Sequence, residues 1–415
     1  NSGNITWADA NDSGHGTHVA GTIAAVNNNG EGVCGVAGGD GTPNSGVKIM
    51  TCQLFSGQNL ATLAAEARAI KYAADNGAVV LQCSWGYNSS ESNILNGYTP
   101  GPATEKEWAE TYPLEKEALD YFITNAGSPN GIIDGGIAVF AAGNEYAANP
   151  AFPGAYSKCV CVASLAADFT PACYTDFGSL VTLSAPGGDL EYYGKIGQEE
   201  DEYWAETAEQ KGAVLSTMIK NGKPAYGYME GTSMACPHAA GVAALGLAYA
   251  VKQNRHYRAA DFIALMKKAV KPLDGYYENG ATKTYYLNHT TMGASPEVVE
   301  LSKYIGKMGT GLIDAGKLLD GIKNKEFSSD MKLPNIYVGV EKTIKYNLAL
   351  YFDGIADGYS CNIANNEIAT ASVEGATLTI KGLKAGSTSL TITAGGKTQT
   401  VTVMVRQGAN SNGWM

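Results

Sequence analysis

Five apolar runs of strand length, Val47 to Leu54, Ala78 to Ser84, Ile137 to Ala142, Val160 to Ala163 and Leu180 to Ala185, are interleaved with helical patterns along this chain. The helical stretches are His15 to Ala25, Thr62 to Asp75, Leu114 to Asn125, Pro237 to Lys252 and Ala259 to Ala269. Runs that are apolar throughout, not alternately polar, call for burial on both faces, and interspersed helices supply the covering layers. The pattern predicts an α/β fold with a mostly parallel central sheet and helices on both faces. A chain of 415 residues, 45% hydrophobic, is long enough for one such core and a small second domain.

From about Leu333 the rhythm changes. Short alternating strands follow, such as Thr377-Leu378-Thr379-Ile380, Leu390-Thr391-Ile392-Thr393 and Val401-Thr402-Val403-Met404-Val405, with Gly395-Gly396 marking a turn. This predicts a small all-β sandwich domain, and we place the boundary between residues 1–328 and 329–415.

Three segments carry candidate chemistry. Ser233, in Gly231-Thr232-Ser233-Met234-Ala235, precedes the small-residue run Ala239 to Ala248, which reads as a buried helix with Pro237 in its first turn. Backbone amides at such a helix start can face a developing oxyanion, although taken alone a serine there is more often a plain N-cap. His15, in His15-Gly16-Thr17-His18, opens a second small-residue helix; a serine hydroxyl needs such an imidazole to take its proton. The two histidines are also open to a metal-binding reading, but the chain has no His-Glu-x-x-His or Cys-x-x-Cys to complete a zinc site. Asn144 follows the apolar run Ile137 to Ala142, at the strand end that faces the ligand crevice of a parallel sheet. By itself it would be an ordinary turn residue.

In this order, the segments His-Gly-Thr-His-Val-Ala-Gly-Thr-Ile-Ala-Ala (15–25), Ala-Ala-Gly-Asn (141–144) and Gly-Thr-Ser-Met-Ala-Cys-Pro-His (231–238) resemble the subtilisin family of serine peptidases, the subtilases. Shorter matches include Ser84-Trp85-Gly86, Phe152-Pro153-Gly154 and Ala185-Pro186-Gly187, so the likeness covers roughly residues 1–322. It implies a serine endopeptidase acting on polypeptides, with His15 as general base, Ser233 as nucleophile and Asn144 as oxyanion donor. It also implies substrate binding along Ser84, Trp85 and Gly86, with Ala141, Ala142 and Gly143 lining the pocket, and a secreted or cell-surface location. Leu383-Lys384-Ala385-Gly386 and the Thr-rich strand after it resemble a bacterial immunoglobulin-like domain.

One feature departs from the family pattern. Subtilases carry the triad aspartate on a strand a few tens of residues before the histidine, whereas Asp9 and Asp12 lie in a Gly/Asn/Ser-rich loop with no apolar strand ahead of them. We read both as solvated, which puts the triad aspartate upstream of Asn1, on a removed segment or on a docked N-terminal fragment or propeptide. The rival reading is a non-catalytic binding or scaffold protein on the same fold.

The remaining features are less specific. A net charge of −11 argues against nucleic acid as a partner. Asp189 to Lys211, with eight acidic and two basic residues, reads as a solvated surface insertion. The chemistry needs no cofactor. Asn27-Asn28-Asn29-Gly30-Glu31-Gly32 falls where the family often holds a structural calcium, but reads first as an ordinary glycine-rich turn. The eight cysteines sit mostly in apolar runs and are expected to be reduced thiols. No stretch reads as a membrane span, the apolar helix from Ala239 fitting a protein core better.

Overall fold

The computed structural model describes residues 14–55, 61–92, 98–128, 131–189, 212–220, 222–285, 297–328 and 332–407. Asp9, Asp12 and residues 190–211 of the acidic segment lie outside these. The chain divides into two compact units, the first built from residues 1–127, 135–248 and 259–321 and the second from 128–134, 249–258 and 322–415.

In chain order the first part gives α1 (His15–Ala24), α2 (Leu63–Asp75), β1 (Val80–Cys83), α3 (Glu105–Thr111), α4 (Pro113–Asn125), β2 (Ile133–Asp134), β3 (Ile137–Ala141), β4 (Val160–Leu165) and β5 (Leu183–Pro186). There follow the hairpin β6 (Val214–Lys220) and β7 (Lys223–Met229), then α5 (Thr232–Lys252), β8 (Tyr257–Arg258), α6 (Ala259–Lys268), β9 (Val270–Lys271) and α7 (Asp274–Tyr277). The antiparallel pair β10 (Thr282–Tyr285) and β11 (Glu297–Glu300), β12 (Leu312–Ile313) and α8 (Ala315–Lys323) complete it.

The central sheet has the order β1-β3-β4-β5-β12-β9. Neighbours from β1 through β12 run parallel, and only β9 is antiparallel. Every residue of β3 and β4 is buried, as unbroken apolar runs require when both faces are covered. Local signals start the covering helices. Thr62 Oγ1 caps α2 through Ala65 N–H, Thr104 Oγ1 caps α3 through Glu107 N–H, and Pro113 opens α4, where its missing N–H costs nothing.

Three expectations are corrected here. Val47 to Leu54 is not a strand: no ladder partner lies beside it among the described residues, and Ile49 and Met50 are exposed. The helix expected from Pro237 starts earlier, at Thr232, so Pro237 lies inside it. By length and composition that helix, α5, is apolar enough to cross a bilayer, yet most of it is buried in the protein. Of the acidic segment, Asp189 is not solvated but fully buried, paired with Lys283 Nζ at 2.8 Å and accepting from Cys173 N–H at 3.2 Å.

The second unit contains the short parallel pair β2 and β8, and an all-β part of two sheets. These are β13 (Ile336–Gly339), β14 (Thr343–Asn347), β15 (Ser360–Ile363), β16 (Ala369–Glu374), β17 (Thr377–Gly382), β18 (Gly386–Ala394) and β19 (Lys397–Arg406), ordered β13-β19-β18-β15 and β14-β17-β16. Alternate residues of β17, β18 and β19, among them Leu378, Ile380, Leu390, Ile392 and Val403, fill one core between them. Gly395 and Gly396, at φ 55° and 77°, make the two-residue turn that fixes the β18–β19 register.

Candidate active site

His15 is the first residue of α1 and is half-buried. Gly14 caps the helix from the left-handed region at φ 72° and packs on Met218, where a side chain would be strained and would press on the Met218 methyl at 3.2 Å. The hairpin holds this helix by its carbonyls: Ser216 Oγ donates to His18 O at 2.7 Å and Thr217 Oγ1 to Thr17 O at 2.8 Å. His18 is fully buried and lies 2.9 Å through Nε2 from Val214 O; since a carbonyl only accepts, that nitrogen carries the proton. Burial pushes its pKa down to about 4, so His18 is a neutral structural tie. Among the described residues no group of three or more His, Cys, Asp and Glu side chains is arranged to hold a metal.

Ser233 is the second residue of α5, half-buried beside the carboxyl end of β1. Pro237 has no N–H to give to the carbonyl four residues back, which is that of Ser233. Ser84 Oγ donates to this carbonyl instead at 2.7 Å, and Gln82 Nε2 donates both to Ser84 Oγ at 2.6 Å and to Cys236 Sγ at 3.3 Å. Ser233 Oγ lies 3.4 Å from Ser84 O. Strand and helix are thereby fastened at the residue of interest.

Asn144 is exposed, three residues beyond the end of β3. Its Oδ1 accepts from Thr232 N–H at 2.9 Å and from Thr232 Oγ1 at 2.8 Å. A backbone N–H only donates, which fixes the amide orientation and leaves Nδ2 as the outward donor. A methyl group built on Gly231 would lie 3.5 Å from Ser233 N and 3.8 Å from Asn144 Nδ2, so the two donors border one small space at the start of α5. Tyr174 OH accepts from Gly231 N–H at 2.8 Å and donates to Gly188 O at 2.6 Å, anchoring the turn before the helix.

The six residues expected along the substrate differ in setting. Gly86 is exposed, Ser84, Trp85 and Gly143 are half-buried, and Ala141 and Ala142 are buried. Trp85 packs edge-on against Phe140 with centroids 5.3 Å apart, and Ala142 belongs to the core around Cys161 and Tyr174. Sequence reasoning did not single out Gln82, Tyr174 or the buried Asp176, and it quoted Thr232 only as part of the Gly-Thr-Ser segment, since the bonds to Cys236, Gly231, the loop after β3 and Asn144 that give these residues their parts join distant stretches of chain.

The family model of the subtilases matches residues 4–290, well over half of the chain. The chain belongs to the subtilase family. Among curated subtilase relatives, it is 30% identical to thermitase of Thermoactinomyces vulgaris over 235 residues, which make up 57% of this chain and 61% of that protein. It is 29% identical to the thermophilic serine proteinase of Bacillus sp. strain AK1 over 271 residues, 65% of this subtilase and 51% of the relative. To the calcium-dependent protease of Nostoc sp. strain PCC 7120 it is 30% identical over 292 residues, 66% of this chain and 38% of that one. The subtilase chain thus spans between about a third and two thirds of each of these relatives' length.

Proposed function

We propose that this subtilase is a serine endopeptidase that cleaves polypeptides through an acyl-enzyme on Ser233. His15 takes the proton from Ser233 Oγ as that oxygen attacks the peptide carbonyl, and then returns it to the leaving amine. Asn144 Nδ2 and Ser233 N–H receive the charge that develops on the carbonyl oxygen. A carboxylate orienting the imidazole comes, on this reading, from upstream of Asn1 or from a docked segment carrying it. Extended substrate runs along Ser84, Trp85 and Gly86, with Ala141, Ala142 and Gly143 bordering the pocket for the residue before the cut. The observation that carries the reading is the pair of donors bordering one space at the start of α5, with Asn144 Oδ1 already engaged by Thr232.

A fluorophosphonate probe tests this on the full gene product. Labelling at Ser233, abolished by Ser233→Ala, is the expected result. Asn144→Ala should lower kcat by about 10² to 10³, a range measured on subtilisin itself. An unlabelled, folded full-length protein would instead make the chain a scaffold.

The proposal extends to three finer points. A structural calcium ion in the loop Asn27 to Gly32 fits one observation, that Asn27 Oδ1 is buried with no hydrogen-bond partner among the described residues. Asn27 Oδ1 and loop carbonyls would be its oxygen ligands, and the Nostoc relative's name records calcium dependence. We also take the chain to act outside the cytoplasm, as the family resemblance suggests. Residues 329–415 are read as an immunoglobulin-like appendage to a peptidase domain over 1–328.

A further inference from the structure

The loop after β3 meets a carboxyl group that the catalytic reading leaves unused. Asp176 is fully buried. Its Oδ1 accepts from the N–H of Glu145 at 3.0 Å and of Ala147 at 2.8 Å, while its own N–H donates to Gly143 O at 3.0 Å. Asn144 is therefore bracketed on both sides by bonds to one aspartate. The other oxygen, Oδ2, is buried without a hydrogen-bond partner and is turned towards the Glu145 carboxyl. A methyl group built on Gly143 would lie 2.2 Å from Asp176 Oδ2 and 2.8 Å from Glu145 Oε2, which is why this position, at φ 117°, takes only glycine. Two ionised carboxylates so close in a buried place repel strongly. A neutral Asp176 removes the conflict: its carbonyl Oδ1 keeps both backbone bonds and its Oδ2 hydroxyl faces Glu145.

We propose that Asp176 is a positioning residue for the oxyanion donor Asn144, a neutral acid that holds one proton between itself and Glu145 and so fixes the loop Gly143 to Ala147. The inference rests on the peptidase reading given above. Burial first, and then Glu145, raise the Asp176 pKa well above the carboxylate range. The groups facing the pair are few. Ser89 N–H donates to Glu145 Oε2 at 3.3 Å, and the Cys161 thiol of β4, itself raised by burial, lies behind Asp176. Lys303 donates to Tyr146 OH, and Lys303 and Lys307 stand 5.5 Å and 5.7 Å from the Phe177 ring. When alkali removes the shared proton, the carboxylates separate and Asn144 loses its seat.

The full-length enzyme and its Asp176→Asn and Asp176→Ala variants decide this by two measurements, kcat and KM on a peptide substrate from pH 6 to 11 and melting temperature from pH 4 to 10. Asparagine keeps the Oδ1 acceptor and donates to Glu145 at every pH. Its alkaline fall in kcat should move up by at least about one pH unit or vanish. A buried acid with a raised pKa stabilises fully below its unfolded value near 4 and loses that contribution as pH climbs through its folded value. The melting temperature of Asp176→Asn should therefore gain on the wild type as pH rises above 4. Asp176→Ala, which frees two backbone donors, should lower kcat about tenfold or more while KM changes little. If that variant does not fold, Glu145→Gln replaces it and should shift the alkaline limb as Asp176→Asn does. A wild-type pH–rate profile in Asp176→Asn overturns the proposal, as does a melting difference that is flat with pH. A wild type that Ser233-directed probes do not label sinks the peptidase reading instead, and the melting series still judges the proton on Asp176.

Discussion

At the scale of single residues, the two histidines of His15-Gly16-Thr17-His18 show how three positions along a helix separate the proposed base from a structural tie. His15 sits half-buried at the mouth of α1, while His18 is sealed against Val214 O and kept neutral. A folded pKa lowered from 6.5 to about 4 means that the unfolded chain takes up this proton more readily, so the stabilising contribution is whole above about pH 6.5 and drains away as pH falls through 4. A shift of that size corresponds to about 3 kcal/mol over the interval. His18→Gln, which can donate to Val214 O but cannot titrate, should flatten the drop in melting temperature between pH 6.5 and 4. An undiminished drop in the variant would place the acid sensitivity elsewhere.

Among the elements, α2 and α4 enclose a second pair of acids. Glu115 is fully buried and accepts from Trp108 Nε1 at 2.5 Å, and Glu66, nearly as buried, has its pKa pushed up to about 9 by burial and by Glu115. A raised folded pKa stabilises below the unfolded value of 4.5 and ceases to do so as pH rises through 9. Glu66→Gln should therefore melt later than the wild type at pH 9 and nearly with it at pH 4; equal melting at both would show that no proton is held there. Helices α2 and α4 and the buried strand β3 were legible as the helical patterns Thr62 to Asp75 and Leu114 to Asn125 and the apolar run Ile137 to Ala142, whereas the short α3 was not read despite its Thr104 cap. Val47 to Leu54 was misread because a run can have strand composition and still find no neighbour to pair with among the described residues. The start of α5 was misplaced because Pro237 was taken as a beginning when it is an interruption. Segments bearing His15, Asn144 and Ser233 stand out as motifs, whereas Asp176 meets the loop after β3 from chain about thirty residues away that no local pattern marks, and Gln82, inside an expected strand, gives no sign of its bond to Cys236.

For the whole molecule, the fold draws little on covalent or ionic fastening. Among the described residues the eight cysteines form no disulfide, and one buried ion pair, Asp189 with Lys283, stands out against exposed ones such as Lys71 with Asp75. Among the described residues, stability then rests mainly on the buried apolar clusters, and the proposed calcium ion at the Asn27 loop would add to it. Removal of calcium with EGTA should lower the melting temperature, and readdition of calcium but not magnesium should restore it, since seven or so flexible oxygen ligands suit the larger ion. Melting that ignores both treatments would leave that loop a plain turn.

Pro237 looks like a flaw to anyone seeking a sturdier protein, and alanine would be the obvious repair. The repaired backbone would regain a missing rung, but residue 237 would then compete with the Ser84 hydroxyl for a single oxygen. What the helix won in regularity, the proposed nucleophile Ser233 would lose in its tie to the sheet through Ser84, so a thermostabilising screen blind to turnover would select against the proposed peptidase.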